Sequence, residues 1–245
     1  MLEYFPALEH AFDYKTSKAA LVLLTQYRTP AILQRVGKNR LATWLKNRKV
    51  RNSQLVASTA VEAAVAQHTV VTGEKLTATV VTKLAREVIA LDEEIAETDA
   101  LIEDRFRDHP HAEVILSMSG PGPVLGAEFI ACTGGDLSVF ASADRLAGAA
   151  GLAPVPKDSG RTSGNMRRPG RCCRDLLRVF YMSATVAARS CPVSRAFYER
   201  KRAEGKGHKQ AIIALARRRL NVLRALIRDG RTFELTAPEP PVALG

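Results

Sequence analysis

No apolar run in this 245-residue chain approaches the roughly 18 to 20 residues needed to cross a bilayer, and the opening MLEYFPALEH lacks the charged-then-apolar order of a secretory leader. Both absences point to cytoplasmic residence without a membrane partner. Cysteine is scarce: Cys132, Cys172, Cys173 and Cys191 form no Cys-x-x-Cys pair and have no histidine at metal-ligand spacing. Reduced, buried thiols are therefore expected rather than disulfides or a zinc centre. Converging acids are missing as well. Asp92, Glu93, Glu94, Glu97, Asp99, Glu103 and Asp104 spread round the faces of one helical stretch, whereas a two-metal nuclease site needs carboxylates brought onto cations from separate elements. No metal ligand set and no bound cofactor are expected on this chain. Disorder is not the default, because 46% hydrophobic and 25% charged residues supply one large core or two modest ones.

What is present is positive charge. Residues Arg161 to Arg231 hold 19 Lys+Arg against 4 Asp+Glu, a net +15, while the whole chain carries +11. The remainder is thus −4, and on this count the basicity belongs to one segment. Such asymmetry usually sets the basic part against a polyanion, DNA or RNA being the commonest; the alternative is a solubilising surface.

The expected fold is mainly α. Residues 1–72 read as a helical region: Ala19 to Leu24 is an apolar core, Thr29-Pro30 is a helix start, and a further helix through Arg40 to Leu45 is set off by Gly37-Lys38-Asn39. The Lys/Arg cluster from Lys46 to Arg51 is a phosphate-contacting rim or a solvated helix end. Leu55 to Gln67, rich in alanine and valine, suits a buried helix. Residues 73–110 form a long amphipathic arm in which Leu84, Val88, Leu91, Ile95, Thr98 and Ile102 recur by fours and threes, the spacing of a coiled-coil seam through which a second chain could pair. Residues 111–235 make up a C-terminal helical domain, and the proline-bearing tail 236–245 is expected to be disordered.

Within the C-terminal domain, Gly120-Pro121-Gly122 followed by Pro123 and an apolar helix through Cys132 resembles a helix-hairpin-helix turn. There Gly120 and Gly122 would let backbone amides approach a phosphate; a plain helix–turn–helix connection reads the same way. The segment Gly151 to Arg174 places Ser159 and Ser163 among glycines and arginines in a stretch too broken for helix or strand. A hydroxyl nucleophile beside cationic phosphate-holding side chains suits attack on a phosphodiester, and an interdomain linker is the bland alternative. Arg174 to Ala188 reads as a helix with Leu176, Leu177, Phe180 and Ala184 on one face and Arg174 and Arg178 on another; Tyr181, a conceivable nucleophile, reads as packing. The basic run Arg195 to Lys209, with Lys206 and Lys209 and the interleaved Phe197 and Tyr198, suits phosphate contact and stacking. The last helix, Gln210 to Arg228, sets Ile213, Leu220, Leu223 and Ile227 opposite Arg217, Arg218 and Arg219 as a DNA-facing surface.

Taken in order, LSMSGPGPVLGAEF (Leu116 to Phe129), FASADRLAGAAGLAP (Phe140 to Pro154), KDSGRTSGN (Lys157 to Asn165), RRPGR (Arg167 to Arg171) and RKRAEGKGHKQA (Arg200 to Ala211) resemble the transposases of the bacterial insertion-sequence one-ten family, also called transposase family twenty. In that family a RuvC-like domain with four metal-binding acids works with a C-terminal domain whose serine attacks DNA, guided by a structured RNA. The resemblance implies that Ser159 is the nucleophile, with Ser163 as the competing assignment, and that Arg161, Arg167, Arg168 and Arg171 hold phosphates. It implies DNA and a structured guide RNA as partners, and Mg²⁺ as the cofactor of the full-length family. Because LEYFPALEHAFDY resembles the stretch C-terminal to the RuvC-like domain, the chain is expected to be a truncated member. Such a chain would bind nucleic acid but transfer strands only if a full-length partner, paired through the arm, supplied the missing half. Three readings stand at this point: a transposase or recombinase, a non-catalytic nucleic-acid-binding module, and a helical assembly protein.

Overall fold

A computed structural model describes residues 4–14, 17–69, 71–156, 160, 166–167 and 169–234. The chain divides into two compact units, Met1–Thr98 and Asp99–Gly245. Among the described residues there are eleven α-helices and one two-stranded ribbon, so the mainly α expectation holds. No helix among them is long and apolar enough to cross a membrane.

The first unit is built from α1 (Pro6–Ala11), α2 (Lys18–Leu24), α3 (Pro30–Asn47), α4 (Ser53–Ala66) and most of α5 (Glu74–Arg107). Thr29 caps α3 by accepting from the Ile32 amide at 3.4 Å, with Pro30 following at the first helical position, as the Thr-Pro pair predicts. Gly37, at φ 70 and ψ 167, breaks the helical path inside α3, which is two helical segments meeting at a kink where the Gly37-Lys38-Asn39 break is expected. Alanine is what lets α4 lie close to its neighbours: Ala57, Ala60, Ala63 and Ala64 are buried against Leu33, Leu41 and Leu45 of α3 and Leu8 of α1. Buried backbone acceptors that the helices leave over are met by side chains. Tyr4 Oη donates to the Arg28 carbonyl (2.9 Å), Gln34 Nε2 to that of Ala64 (2.6 Å), and Thr82 Oγ1 to that of Leu24 (3.0 Å). Helix α5 follows the predicted span to within a few residues, and its seam residues Leu84, Val88, Leu91 and Ile95 are exposed among the described residues.

The second unit holds α6 (Ala112–Ser117), α7 (Pro123–Thr133), a 3-10 turn (Leu137–Val139), α8 (Ala143–Ala149), strands β1 (Val155–Pro156) and β2 (Met166–Arg167), α9 (Arg174–Ser190), α10 (Pro192–Ala203) and α11 (His208–Asp229). Its core gathers Ile115, Met118, Phe129, Leu146, Leu152, Leu176, Phe180, Ile212, Leu215 and Leu220, with Phe129 and Phe180 edge to face at 5.7 Å. Gly126 is required by this packing: a Cβ there would lie 2.4 Å from the Phe106 ring at the end of α5. Tyr181 packs against the core, in keeping with its reading as a packing residue. The expected tail, 236–245, lies outside the described residues.

Candidate nucleic-acid interface

A short strand pair flanks the sequence that carries the two serines. Val155 pairs with Arg167 and Pro156 with Met166 in antiparallel register, a short ladder within the Gly151–Arg174 stretch. This corrects the expectation that the stretch is too broken for strand: two residues on either side suffice for a ladder when tertiary bonds hold the base. Here they do. The Leu152 and Ala153 amides donate to the Ala147 carbonyl at the end of α8 (2.8 and 3.2 Å), and the Cys173 amide donates to that of Ala149 (2.8 Å). Gly151, at φ 65, makes the exit from α8 possible. The chain on both sides of the ladder is thereby tied to the last turn of one helix, and Cys173 caps α9 through its sulfur, which accepts from the Leu176 amide. Ser159, Ser163, Arg161 and Arg168 lie outside the described residues, as does the side chain of Arg167; Gly160, beside Ser159, is exposed.

After β2, Arg171 and Arg174 are exposed and have no carboxylate partner among the described residues. Arg178, one turn further along α9, is spent on Glu128 of α7 in a two-pronged ion pair. Arg174 and Arg178 share a face as predicted, but only Arg174 is left for an outside anion.

The Gly120-Pro121-Gly122 turn joins α6 to α7, and its two glycines do different jobs. Gly120 sits at φ +113, and a Cβ built on it would stand 2.4 Å from the Ser183 carbonyl oxygen, so the turn lies directly on the backbone of α9. Gly122 is the N-cap of α7 with φ −89, nothing within 4 Å of a built Cβ and no side-chain cap. The amides that open α7 beside it remain without a side-chain acceptor.

Beneath the turn lies an interaction that the sequence pattern did not reveal. Arg219 of α11 is only 4% exposed; it donates to the Ser119 carbonyl, to Ser183 Oγ at 3.1 and 3.3 Å and to Ser194 Oγ at 3.4 Å. Burial, with no carboxylate beside it, pushes its pKa down to about 10, so it remains a cation at neutral pH. Burial also pushes the adjoining Cys191 thiol up, but hydrogen bonds from Ser194 and from the Val193 amide, together with the Arg219 charge, bring it below its ordinary value. The expected DNA-facing row Arg217, Arg218, Arg219 therefore needs correction. Successive helical residues step by about 100°, so three in a row cannot share one face. Arg217 pairs with Asp144 of α8, Arg219 is internal, and Arg218 alone is exposed.

On α10 and the following turn, Phe197 is half-buried and ringed by Arg218, Arg200 and Lys201 at 5.0, 5.1 and 5.6 Å from its centroid. Tyr198 Oη is 2.8 Å from His208 Nδ1, which fastens α10 to the start of α11. Lys206 stands 3.5 Å from Glu204, which Lys201 also holds at 2.8 Å; these cations keep the Glu204 carboxyl below its usual range. Lys209 is exposed and unpaired among the described residues. Among the described residues no three His, Cys, Asp or Glu come together so as to hold a metal ion.

Comparison with known proteins gives this helical, basic unit a class, that of proteins encoded by bacterial insertion elements. The chain is 63% identical over 227 residues to the 42 kDa protein of insertion element IS900 from Mycobacterium paratuberculosis, covering 93% of this chain and 57% of that one. It is 52% identical over 237 residues to the 44.8 kDa protein of IS116 from Streptomyces clavuligerus, covering 97% and 58%. A pilin gene-inverting protein of Moraxella lacunata is 36% identical over 102 residues, 41% of this chain and 32% of that protein. The family model described as transposase IS116/IS110/IS902 matches residues 112–199, from the start of α6 through most of α10. The chain thus resembles the IS116/IS110/IS902 transposase family over those residues and the insertion-element proteins over nearly all of its own length. It spans less than three fifths of the length of the two insertion-element relatives.

Proposed function

We propose that the second unit is the DNA-handling and strand-exchanging part of an insertion-element transposase, with Ser159, in the sequence between β1 and β2, as the nucleophile. The observation that supports this best is the doubly tied ladder. The chain on both sides of the ladder is bonded to the end of α8, and Arg171 and Arg174, which follow β2, are uncompensated cations suited to phosphate oxygens. In the reaction the serine oxygen bonds to phosphorus, the bond to one sugar oxygen breaks, and that oxygen leaves as a hydroxyl. The reverse attack rejoins a strand, so the bond energy is kept and no nucleotide is consumed. The amides at Gly122 and the cations Lys206 and Lys209 extend the phosphate-binding surface. DNA is the proposed substrate and a structured RNA the proposed guide, and a pilin gene-inverting protein of Moraxella lacunata is among the proteins similar to part of the chain. Mg²⁺ belongs to the full-length family. The described acids do not fit such an ion, and no step is drawn through it on this chain.

Incubating the chain with element-end DNA and Mg²⁺, alone and with an added full-length family member, should yield a detergent-stable protein–DNA adduct that disappears in Ser159→Ala. Loss in Ser163→Ala instead would move the nucleophile to Ser163. An adduct surviving both changes would sink serine chemistry, and salt-sensitive binding with no adduct under any condition would leave the non-catalytic binding module. Pairing with a second chain is proposed through α5, since Leu84, Val88, Leu91 and Ile95 expose an apolar seam at coiled-coil spacing. The double change Leu91→Lys and Ile95→Lys should convert a dimer to a monomer in sedimentation equilibrium; a wild-type chain that is already monomeric would end this part of the proposal.

A further inference from the structure

The charge of −4 outside the Arg161–Arg231 segment is an average over two opposite halves. From Tyr14 to Val61 there are 10 Lys+Arg and no Asp or Glu at all, whereas the acids are concentrated on α5. Helix α3 and the turn that follows it carry most of this positive charge. Lys38 is neutralised by Glu62 at 2.7 Å, but Arg40, Lys46, Arg48, Lys49 and Arg51 are exposed and have no carboxylate partner among the described residues. Like charges this close repel one another, so an uncompensated group of five is stabilised chiefly by an anion from outside.

The backbone adds a second argument. The turn Arg48–Asn52 holds two non-glycine residues in the left-handed region, Lys49 at φ 57 and Asn52 at φ 53. It is kept there by the Lys49 amide donating to the Lys46 carbonyl (2.9 Å) and the Val50 amide to that of Leu45 (3.1 Å). Local strain of this kind concentrates where side chains must be aimed. Here it turns a cationic tip away from the packed alanine face of α4. Beside the tip the Arg48 guanidinium lies 3.8 Å over the Trp44 ring, which itself meets Tyr27 edge on at 4.9 Å. Arg48 Nη1 donates to the Trp44 carbonyl at 3.4 Å, so the stacked guanidinium has lost much of its freedom before any ligand arrives while its other N–H groups face no carboxylate among the described residues. Thr43 and Asn47, on the same stretch of α3, add neutral hydrogen-bonding groups.

We infer that the α3–α4 hairpin is a second nucleic-acid contact of this chain, separate from the second unit, which holds a phosphodiester backbone without reading its sequence. The chemistry suits the phosphates of duplex DNA and of folded RNA alike. The rival occupant is the acidic face of α5 from a second copy.

The full-length chain is titrated by fluorescence anisotropy against a duplex DNA and a folded RNA of equal length over a range of salt concentrations. Lys46→Gln, Lys49→Gln and Arg51→Gln together should lower the slope of log K against log salt by about 2 to 3 on duplex DNA, close to one for each phosphate no longer held. Lys46→Arg with Lys49→Arg should keep the slope, and Lys206→Gln with Lys209→Gln should lower it independently. Photo-crosslinking of the wild type to halogenated-uracil probes, read by peptide mapping, should mark the peptide containing Trp44 whatever the folding of the variants. The stronger response, DNA or RNA, identifies the source of the backbone. Unchanged slopes with crosslinks confined to the second unit overturn this inference alone. So do carboxyl–amine crosslinks that join Lys46 or Lys49 to α5 of another copy while Trp44 stays unmarked. A wild-type chain with no salt-sensitive binding overturns both this inference and the function proposed for the second unit.

Discussion

Gly120→Ala is expected to destabilise the second unit by about 3 to 5 kcal/mol, from backbone strain at positive φ together with overpacking against a helix backbone. Two independent costs add. The φ of +113 lies where side chains are rarely tolerated, and the new methyl would stand 2.4 Å from the Ser183 carbonyl oxygen. That oxygen belongs to the main chain of α9, so it cannot swing aside as a flexible side chain would. Urea unfolding of the two single variants gives the comparison: Gly122→Ala, at φ −89 with open space around it, should cost only about 1 kcal/mol, the difference between a glycine and an alanine N-cap. Equal losses would refute the close-packing account. The pair also separates fold from binding. If the turn contacts phosphate through its amides, Gly122→Ala alters affinity in a protein that remains folded, whereas Gly120→Ala acts through stability.

Arg219→Leu should cost on the order of 3 kcal/mol, since it strands buried oxygen acceptors and removes a tie from α11 to the turn. The Ser119 carbonyl loses the guanidinium that α11 brings to it, and Ser183 and Ser194 lose a shared donor. Arg219→Lys should recover only part of the loss, because an ammonium cannot span acceptors on three elements as a planar fork does. Guanidinium unfolding midpoints of the three proteins decide the matter. A leucine variant as stable as the wild type would mean that burial of the cation costs as much as its bonds return. At matched folded fractions, nucleic-acid affinity should be unchanged in Arg219→Leu and reduced in Arg218→Gln, although the two residues are neighbours in sequence.

Those neighbours show how much of the interface was legible in the residues. Helix existence was, because α5, α7, α9 and α11 rest on period and capping residues that act locally: Thr29-Pro30 starts α3, Gly134 ends α7 in the left-handed region, and Gly230 does the same for α11. The basic character of the second unit was legible as well. Which arginines remain available was not. Arg217 meets Asp144, Arg178 meets Glu128 and Arg219 goes inside, and each pairing spans tens of residues that only packing brings together. The uncompensated charge of α3 and the turn after it was open to counting, but it was hidden by averaging it with the acids of α5.

By itself the sequence determined a mainly helical chain, the positions of its principal helices, a cationic C-terminal segment, and the motifs that mark it as kin to insertion-element transposases. Periodicity, capping and composition act over a few residues and need no neighbour in space. The tertiary structure alone decided that Val155–Pro156 pairs with Met166–Arg167 and that the chain on both sides of this ladder is tied to the end of α8. It also decided that Gly120 lies against the backbone of α9, and that one arginine of three consecutive ones lies in the core. Each depends on groups far apart in the chain meeting within a few ångströms, which local preference does not encode and a shared core enforces.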